Sequence, residues 1–319
     1  MSQYLIKEDH LPIREGHQVY YAEYGRPDGE TVLCLHGGPG SCSKARHAEI
    51  FDLTRYRVIL FDQRGCGRSL PYGELNNNNA DLLLQDIEHL RKRLKITKWY
   101  LSGGSWGAAL ALAYAQAHPR SVKGLLLAST FLVLQRDLHW ALQGGEGAAR
   151  MFPEVRERWL DFLAQYQISG DGRIAAKILE KMEISESETV RKMTAEVLNR
   201  EFNLFSTLKD VQFMGPEDIS EEEINAARIF LHFEAHDFFL QPDQLLEKAG
   251  RIRSVPVVAI HGRYDVLCPL ESIWSFKRKM KNMELIVLPS DGHKITADGE
   301  VLKREVFNRF LRERSESSN

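Results

Sequence analysis

Short apolar runs separated by glycine-rich stretches dominate the first 130 residues. Residues 31–35 and 56–61 are short apolar runs that stop at glycine-rich loops, as buried parallel strands do. Residues 18–24 alternate with a period of two, which predicts a half-exposed strand. Residues 98–102 and 122–128 supply further strands. Residues 81–94 carry apolar positions at helical spacing, and 108–117, rich in Ala and Leu with no breaker before Pro119, predict a second helix. Strand, loop and helix in alternation argue for a mostly parallel sheet with helices on both faces.

The texture changes from about residue 134 to 250. Strand-like runs nearly vanish, helical periodicity takes over, and acidic runs such as Glu221-Glu222-Glu223 predict solvated helix faces. After Val255 the first texture returns, with strands at 255–260 and 284–288 and a closing helix at 300–312. The expected division is therefore a core of residues 1–133 and 251–319 with an inserted helical cap of 134–250. Such a cap belongs over the carboxyl edge of the strands, where α/β sites lie. Asn76-Asn77-Asn78-Asn79 predicts a loop.

Composition narrows the function class. The chain has 319 residues, 43% hydrophobic and 27% charged, enough to bury one large α/β core with an insertion. A net charge of −2 gives no reason to expect nucleic acid or anionic membrane as a partner. The charged N-terminal stretch lacks the apolar centre of a secretory signal, and no run is long enough to span a bilayer. The four cysteines show no metal-like spacing and are expected as isolated thiols in a reducing cytoplasm.

The chemistry starts at Gly103-Gly104-Ser105-Trp106-Gly107, at a predicted strand-to-helix turn. A Gly-x-Ser-x-Gly there is a nucleophile elbow: glycines two residues either side let strand and helix approach, and the serine hydroxyl stands out at the helix start. Such a serine needs a base and a group to orient it, and the chain order for this kind of sheet is serine, acid, histidine. Asp265 follows one late strand and His293 the next, so both fall at the sheet edge where Ser105 emerges. His36, His261 and Asp291 also sit near strand ends. His36 is better read as a loop anchor, His261 as structural, and Asp291 as a turn residue. The loop His36-Gly37-Gly38-Pro39-Gly40 is placed to supply one oxyanion donor, the N–H of Gly38, and the N–H of Trp106 supplies the other. Residues 62–69 form another glycine-rich loop, expected to shape the site floor. Serine at the nucleophile position disfavours dehalogenase or epoxide hydrolase chemistry, which needs a carboxylate there.

Four segments in order, HGGPG, DQRGCGRS, GGSWG and GRYDVLCP, resemble the proline iminopeptidases, serine exopeptidases of the α/β-hydrolase fold. The resemblance covers both core segments. It implies a helical cap, release of an N-terminal proline from small peptides with a free N-terminus, and no metal or organic cofactor. It also implies acidic cap residues that hold the substrate amine. Glu234, in Glu234-Ala235-His236-Asp237-Phe238-Phe239, matches one such segment, with Asp237 where tyrosine is usual. Glu201, in Val197-Leu198-Asn199-Arg200-Glu201, is the nearest match to the other, a Trp-x-x-Trp-Glu pattern, without either tryptophan. The competing readings are an esterase, lactonase or amidase with a retuned cap, and a non-catalytic binding protein on the same fold.

Overall fold

The structure is a computed structural model that describes residues 2–142, 147–169, 173–205 and 210–316. Parts of the expected insertion (143–146, 170–172 and 206–209) and of the expected core (1 and 317–319) lie outside the described residues.

One eight-stranded sheet organises the chain. Its strands are β1 (Leu5–Pro12), β2 (Gln18–Gly25), β3 (Glu30–Leu35), β4 (Tyr56–Phe61), β5 (Trp99–Ser105), β6 (Val122–Thr130), β7 (Val257–Gly262) and β8 (Met283–Leu288), in the spatial order β1-β2-β4-β3-β5-β6-β7-β8. The β1–β2 and β2–β4 pairs are antiparallel and the remaining pairs parallel. Between β4 and β6 lie α1 (Ala80–Arg93) and α2 (Trp106–Ala117). Among the described residues six α-helices come between β6 and β7: α3 (Gln135–Leu142), α4 (Pro153–Gln165), α5 (Ile174–Ile184), α6 (Ser187–Phe205), α7 (Glu221–Ala235) and the short α8 (Gln244–Glu247). The chain finishes with α9 (Leu270–Lys279) and α10 (Ala297–Glu316).

The period of two in the strands sorts side chains onto two faces. Leu33, Ile59, Leu101, Leu125 and Ala259 share one cluster with Leu83 and Ile87 of α1 and with α2. Their neighbours Val32, Val58, Tyr100, Leu126 and Val258 share the other with Phe307, Phe310 and Leu311 of α10. Both faces of the sheet are therefore covered. Helix α2 is buried almost all round, and its alanines let it lie close against the strands. The inserted helices have an apolar core of their own, with Trp159, Phe162, Ile178, Met182, Val197 and Leu231 among its members. Among the described residues no helix is long and apolar enough to cross a membrane.

Several expectations need correction. The alternation at 18–24 suggested a half-exposed strand, yet β2 is buried on both faces because β1 and β4 flank it and helices cover the sheet. Glu23 is tolerated there because Arg57 donates to its carboxylate, Nε to Oε2 at 2.8 Å. Strand β1 went unread because it is an exposed edge strand with little apolar content to betray it. The acidic run 221–223 is more than a solvated face: it occupies the first turn of α7, where Ser220 and Glu223 form a capping box and negative charge suits the helix dipole. The asparagine run is a loop as expected, and Asn79 caps α1 by accepting from Leu82 N–H at 3.0 Å.

The loop after β4 is held by a buried ion pair. The Arg64 side chain is 1% exposed, and its Nε and Nη2 donate to the two oxygens of Asp86 at 2.6 and 2.8 Å while Nη1 donates to the Asn77 carbonyl at 2.7 Å. Removing one partner of such a pair strands a buried charge. Asp86→Ala is expected to cost about 3–5 kcal/mol of unfolding free energy, read from the urea midpoint.

Candidate active site

The carboxyl ends of β3, β5, β7 and β8 carry the site. Ser105 closes β5 with φ 54° and ψ −124°, a strained backbone that turns the side chain out between strand and helix. His293 follows β8 and its Nε2 lies 3.0 Å from Ser105 Oγ. Asp265 follows β7 and faces His293 Nδ1 with both oxygens, at 3.1 and 2.9 Å. The three residues called from chain order are thus brought into one hydrogen-bonded line. Asp265 faces Nδ1 with both carboxylate oxygens, so Nδ1 carries the hydrogen and Nε2 is left to accept from the serine hydroxyl.

The acid is fixed from several sides. Asp265 Oδ1 accepts from the Leu267 and Cys268 N–H groups at 3.1 and 2.8 Å. Burial works to raise its carboxyl, but the facing His293, nearby His261 and the Cys268 N–H outweigh that and hold it below the usual carboxylate range. The loops bearing acid and base are also joined to each other and to β6. Tyr264 N–H donates to the Asp291 carbonyl at 2.9 Å, and Ser129 Oγ donates to the His293 carbonyl at 2.8 Å.

The alternatives weighed for acid and base take structural places. His261 is buried; its Nδ1 accepts from Thr130 N–H at 3.1 Å and its Nε2 donates to the Cys268 carbonyl at 2.7 Å. Burial pulls its pKa down, against the pull of Asp265 3.3 Å away. His36 anchors its loop: Nε2 accepts from Gln63 N–H at 3.0 Å and Nδ1 donates to the Gly37 carbonyl at 2.9 Å. Asp291 caps the turn after His293, accepting from Thr296 N–H at 2.6 Å.

The glycine loop after β3 passes directly against the elbow: a Cβ on Gly37 would lie 3.4 Å from Ser105 Cβ. Gly38 has φ +103°, and an added Cβ would sit 2.8 Å from Gly40 N, so the loop's course requires glycine there. Trp106 opens α2, among the helix N–H groups that have no partner within the helix. Its indole does a second job that the sequence did not reveal. Nε1 donates to Gln63 Oε1 at 2.8 Å, and the ring packs against Phe233 and Phe238 at centroid distances of 5.2 and 5.6 Å. Gln63 also donates to the His36 carbonyl at 2.9 Å, so the loop expected to shape the site floor ties elbow and glycine loop together.

The inserted helices lie over this constellation. Phe205, at the end of α6, sets its ring edge-on to His293 at 5.0 Å. Glu201 is one helical turn earlier and so shares that face of α6. Glu234 is the residue after Phe233, near the end of α7. The two carboxylates meet around Arg200, whose Nη2 donates to Glu234 Oε2 at 3.4 Å. Glu201 Oε1 is buried and has no hydrogen-bond partner among the described residues. Burial, with Glu234 adding to it and Arg200 opposing, pushes the Glu201 carboxyl up to about 8. Glu234 is raised as well, by burial against the pull of Arg200. Asp237, at the position where tyrosine was expected, is exposed, and Phe238 fills the interior beside Trp106 and Phe131.

Comparison with known proteins agrees with this geometry. Residues 30–300 match the family described as alpha/beta hydrolase fold. A probable proline iminopeptidase of Leptolyngbya boryana is 36% identical, covering 91% of this chain and 89% of that protein. A proline iminopeptidase of Xylella fastidiosa is 37% identical, covering 89% of each. The chain belongs to the proline iminopeptidase family. A solved structure of the Mycobacterium smegmatis proline iminopeptidase superposes with a TM-score of 0.65 over 98% of this chain and all of that one; at 18% identity it speaks for the shared fold.

The elbow offers a check independent of activity. A Cβ on Gly107 would lie 2.2 Å from the Leu35 carbonyl oxygen, a backbone atom of the central sheet that cannot step aside. Gly107→Ala is expected to cost about 3 kcal/mol. Thermal melting of the purified variant measures it.

Proposed function

We propose that the chain is a serine exopeptidase that releases an N-terminal proline from small peptides through an acyl-enzyme. The observation that carries this reading is the Ser105–His293–Asp265 hydrogen-bonded line together with Glu201, whose buried Oε1 has no hydrogen-bond partner among the described residues. The names of the relatives point the same way.

In this scheme the segment 134–250 is a cap, and the substrate enters beneath it with its ammonium held by Glu201 and Glu234. Charge-assisted hydrogen bonds to the amine set the first peptide carbonyl over Ser105 and reject blocked N-termini. His293 removes the hydroxyl proton as the serine attacks, and Asp265 steadies the imidazolium that forms. The Gly38 and Trp106 N–H groups bind the oxyanion, each donor worth roughly 3–4 kcal/mol in the transition state. His293 then protonates the leaving amine and activates the water that frees proline. None of these steps draws on a metal or organic cofactor. Four free thiols, three of them buried, suit a cytoplasmic location, and the near-neutral net charge suits a small peptide as the partner.

Ser105→Ala is expected to reduce hydrolysis of Pro-β-naphthylamide by at least about 10³-fold and to abolish labelling by a fluorophosphonate probe. N-acetylation of the same substrate should lower kcat/KM by at least about a hundredfold. Equal rates for the free and acetylated forms would instead favour an esterase or amidase with no amine requirement. Labelling of Ser105→Ala as strong as wild type would remove the nucleophile assignment.

The Glu201 carboxyl also sets a pH dependence. An ammonium pairs with the ionised carboxylate, so below pH 8 binding must first expel the proton that burial keeps on Glu201. For Pro-β-naphthylamide, kcat/KM should therefore climb toward pH 8 and fall again once the substrate amine loses its proton. Hydrolysis of p-nitrophenyl acetate, which has no ammonium to pair, should lack that rise. A ratio of the two rates that stays constant from pH 6 to 8 would contradict Glu201 as an amine ligand.

A further inference from the structure

Phe205 has no part in the acyl-transfer scheme, yet this last residue of α6 meets the base and its loop. Its ring lies edge-on to the His293 ring, with centroids 5.0 Å apart and planes at 63°. Its carbonyl accepts from the N–H of Lys294, the residue after the base, at 3.2 Å. Leu204, beside it in the chain, shares a small apolar cluster with Val266, the residue after Asp265. The end of one inserted helix therefore braces the loops that carry both acid and base. The hydrogen bonds of the line leave a task for such a brace. Asp265 holds His293 Nδ1 and Ser105 Oγ faces Nε2, so the ring is held at two opposite ends. Hydrogen bonds tolerate a broad range of angles, and two of them fix the place of a ring better than its tilt. Tilt is fixed by close packing, which Phe205 supplies on its side of the imidazole.

We propose that Phe205 is a positioning residue for the base: its ring holds the His293 imidazole at the tilt that brings Nε2 to the serine hydroxyl, and helps keep water from the His293–Asp265 bond. The proposal rests on the reading of His293 as the base and is independent of which acyl group Ser105 receives. Because the effect runs through the base, it must appear in every reaction of Ser105, with or without an ammonium on the substrate. A phenylalanine that only lined the amine pocket would matter to aminoacyl substrates alone. One that only filled the interior would matter to stability alone. The base is where a small displacement is felt most, since a misplacement of about 1 Å can cost a rate on the order of a hundredfold.

The test uses Phe205→Ala in the full chain and three reactions of the serine. kcat for Pro-β-naphthylamide is expected to fall at least about tenfold with KM within about threefold of wild type. Hydrolysis of p-nitrophenyl acetate and the rate of fluorophosphonate labelling should fall by the same factor. Diethyl pyrocarbonate should modify His293, followed on its peptide by mass spectrometry, at least about fivefold faster, because the ring that shields the imidazole is gone. Phe205→Leu keeps bulk without a ring plane and is expected to slow all three reactions by a common factor of about three. Rates within about twofold of wild type in Phe205→Ala overturn the proposal, whatever happens to the melting temperature. A loss confined to Pro-β-naphthylamide overturns it too, and makes Phe205 a wall of the substrate pocket. Should Phe205→Ala fail to fold, Phe205→Leu decides, and unchanged rates there overturn the idea. Hydrolysis that survives in His293→Ala removes the base assignment itself. A chain that needs His293 but keeps all three rates in Phe205→Ala loses only the role of Phe205.

Discussion

The close approach of α2 to β3 and β5 is the constraint on which the site depends. It leaves no room for a Cβ at Gly107 and forces Ser105 into a backbone conformation that few side chains adopt. A strained turn persists only where its surroundings over-determine it. Here the alanine-rich helix supplies the packing, and the Trp106 indole, bonded to Gln63 and wedged against Phe233 and Phe238, locks the first turn. Once the hydroxyl's direction is fixed, the other parts need only arrive at the same edge of the sheet. They do so because β3, β5, β6, β7 and β8 run parallel in that order and their carboxyl ends lie along one edge.

Polar groups under the site divide into satisfied and unsatisfied ones, and that division has meaning. Asp265 accepts from two backbone N–H groups and the His293 ring, His36 and His261 each have both ring nitrogens engaged, and Asp62 accepts from Ser43 and Arg68. These groups have nothing left to offer a ligand. Glu201 is different: it sits in the same desolvated region with an oxygen unmet. Buried polar atoms without a partner are uncommon enough to need a reason. In the proposed scheme a cationic ligand supplies one, since the proton that burial keeps on the carboxyl can give way to an ammonium.

Much of the core was legible because each feature there is local. The apolar runs at 31–35 and 56–61 became β3 and β4 almost residue for residue, and the order serine, acid, histidine followed from which strand each residue ends. What escaped the sequence depended on contacts between distant segments. The period-two pattern of β2 reads as half-exposed until β1 and the helices cover both sides, and helix α9 went unnoticed between two well-marked loops. In the insertion the helices could be expected, but not which faces would meet. Arg200 stands beside Glu201 in the chain, yet its side chain turns to Trp159 and Glu234, residues 41 and 34 positions away, and no spacing rule announces that.

Chemistry and specificity are often assigned to core and insertion as though the two were independent, but here direct contacts join them, and three of these lie at the site. The backbone of Gly40 passes so close to α7 that a Cβ would lie 2.4 Å from the Ala226 carbonyl oxygen. Phe233 of α7 packs on Trp106, and Phe205 of α6 packs on His293. Each contact joins an inserted helix to the glycine loop after β3, the Ser105–Trp106 turn or His293. Glu234 follows Phe233 directly, and Glu201 lies one turn from Phe205, so both carboxylates are carried on the helices that press on the site. A displacement of α6 or α7 that moved Glu201 or Glu234 would therefore also disturb the imidazole or the indole. Packed interiors transmit such shifts because they hold few voids to absorb them. Changing the preferred N-terminal residue without losing turnover is thus easiest by exchanging side chains on fixed helices.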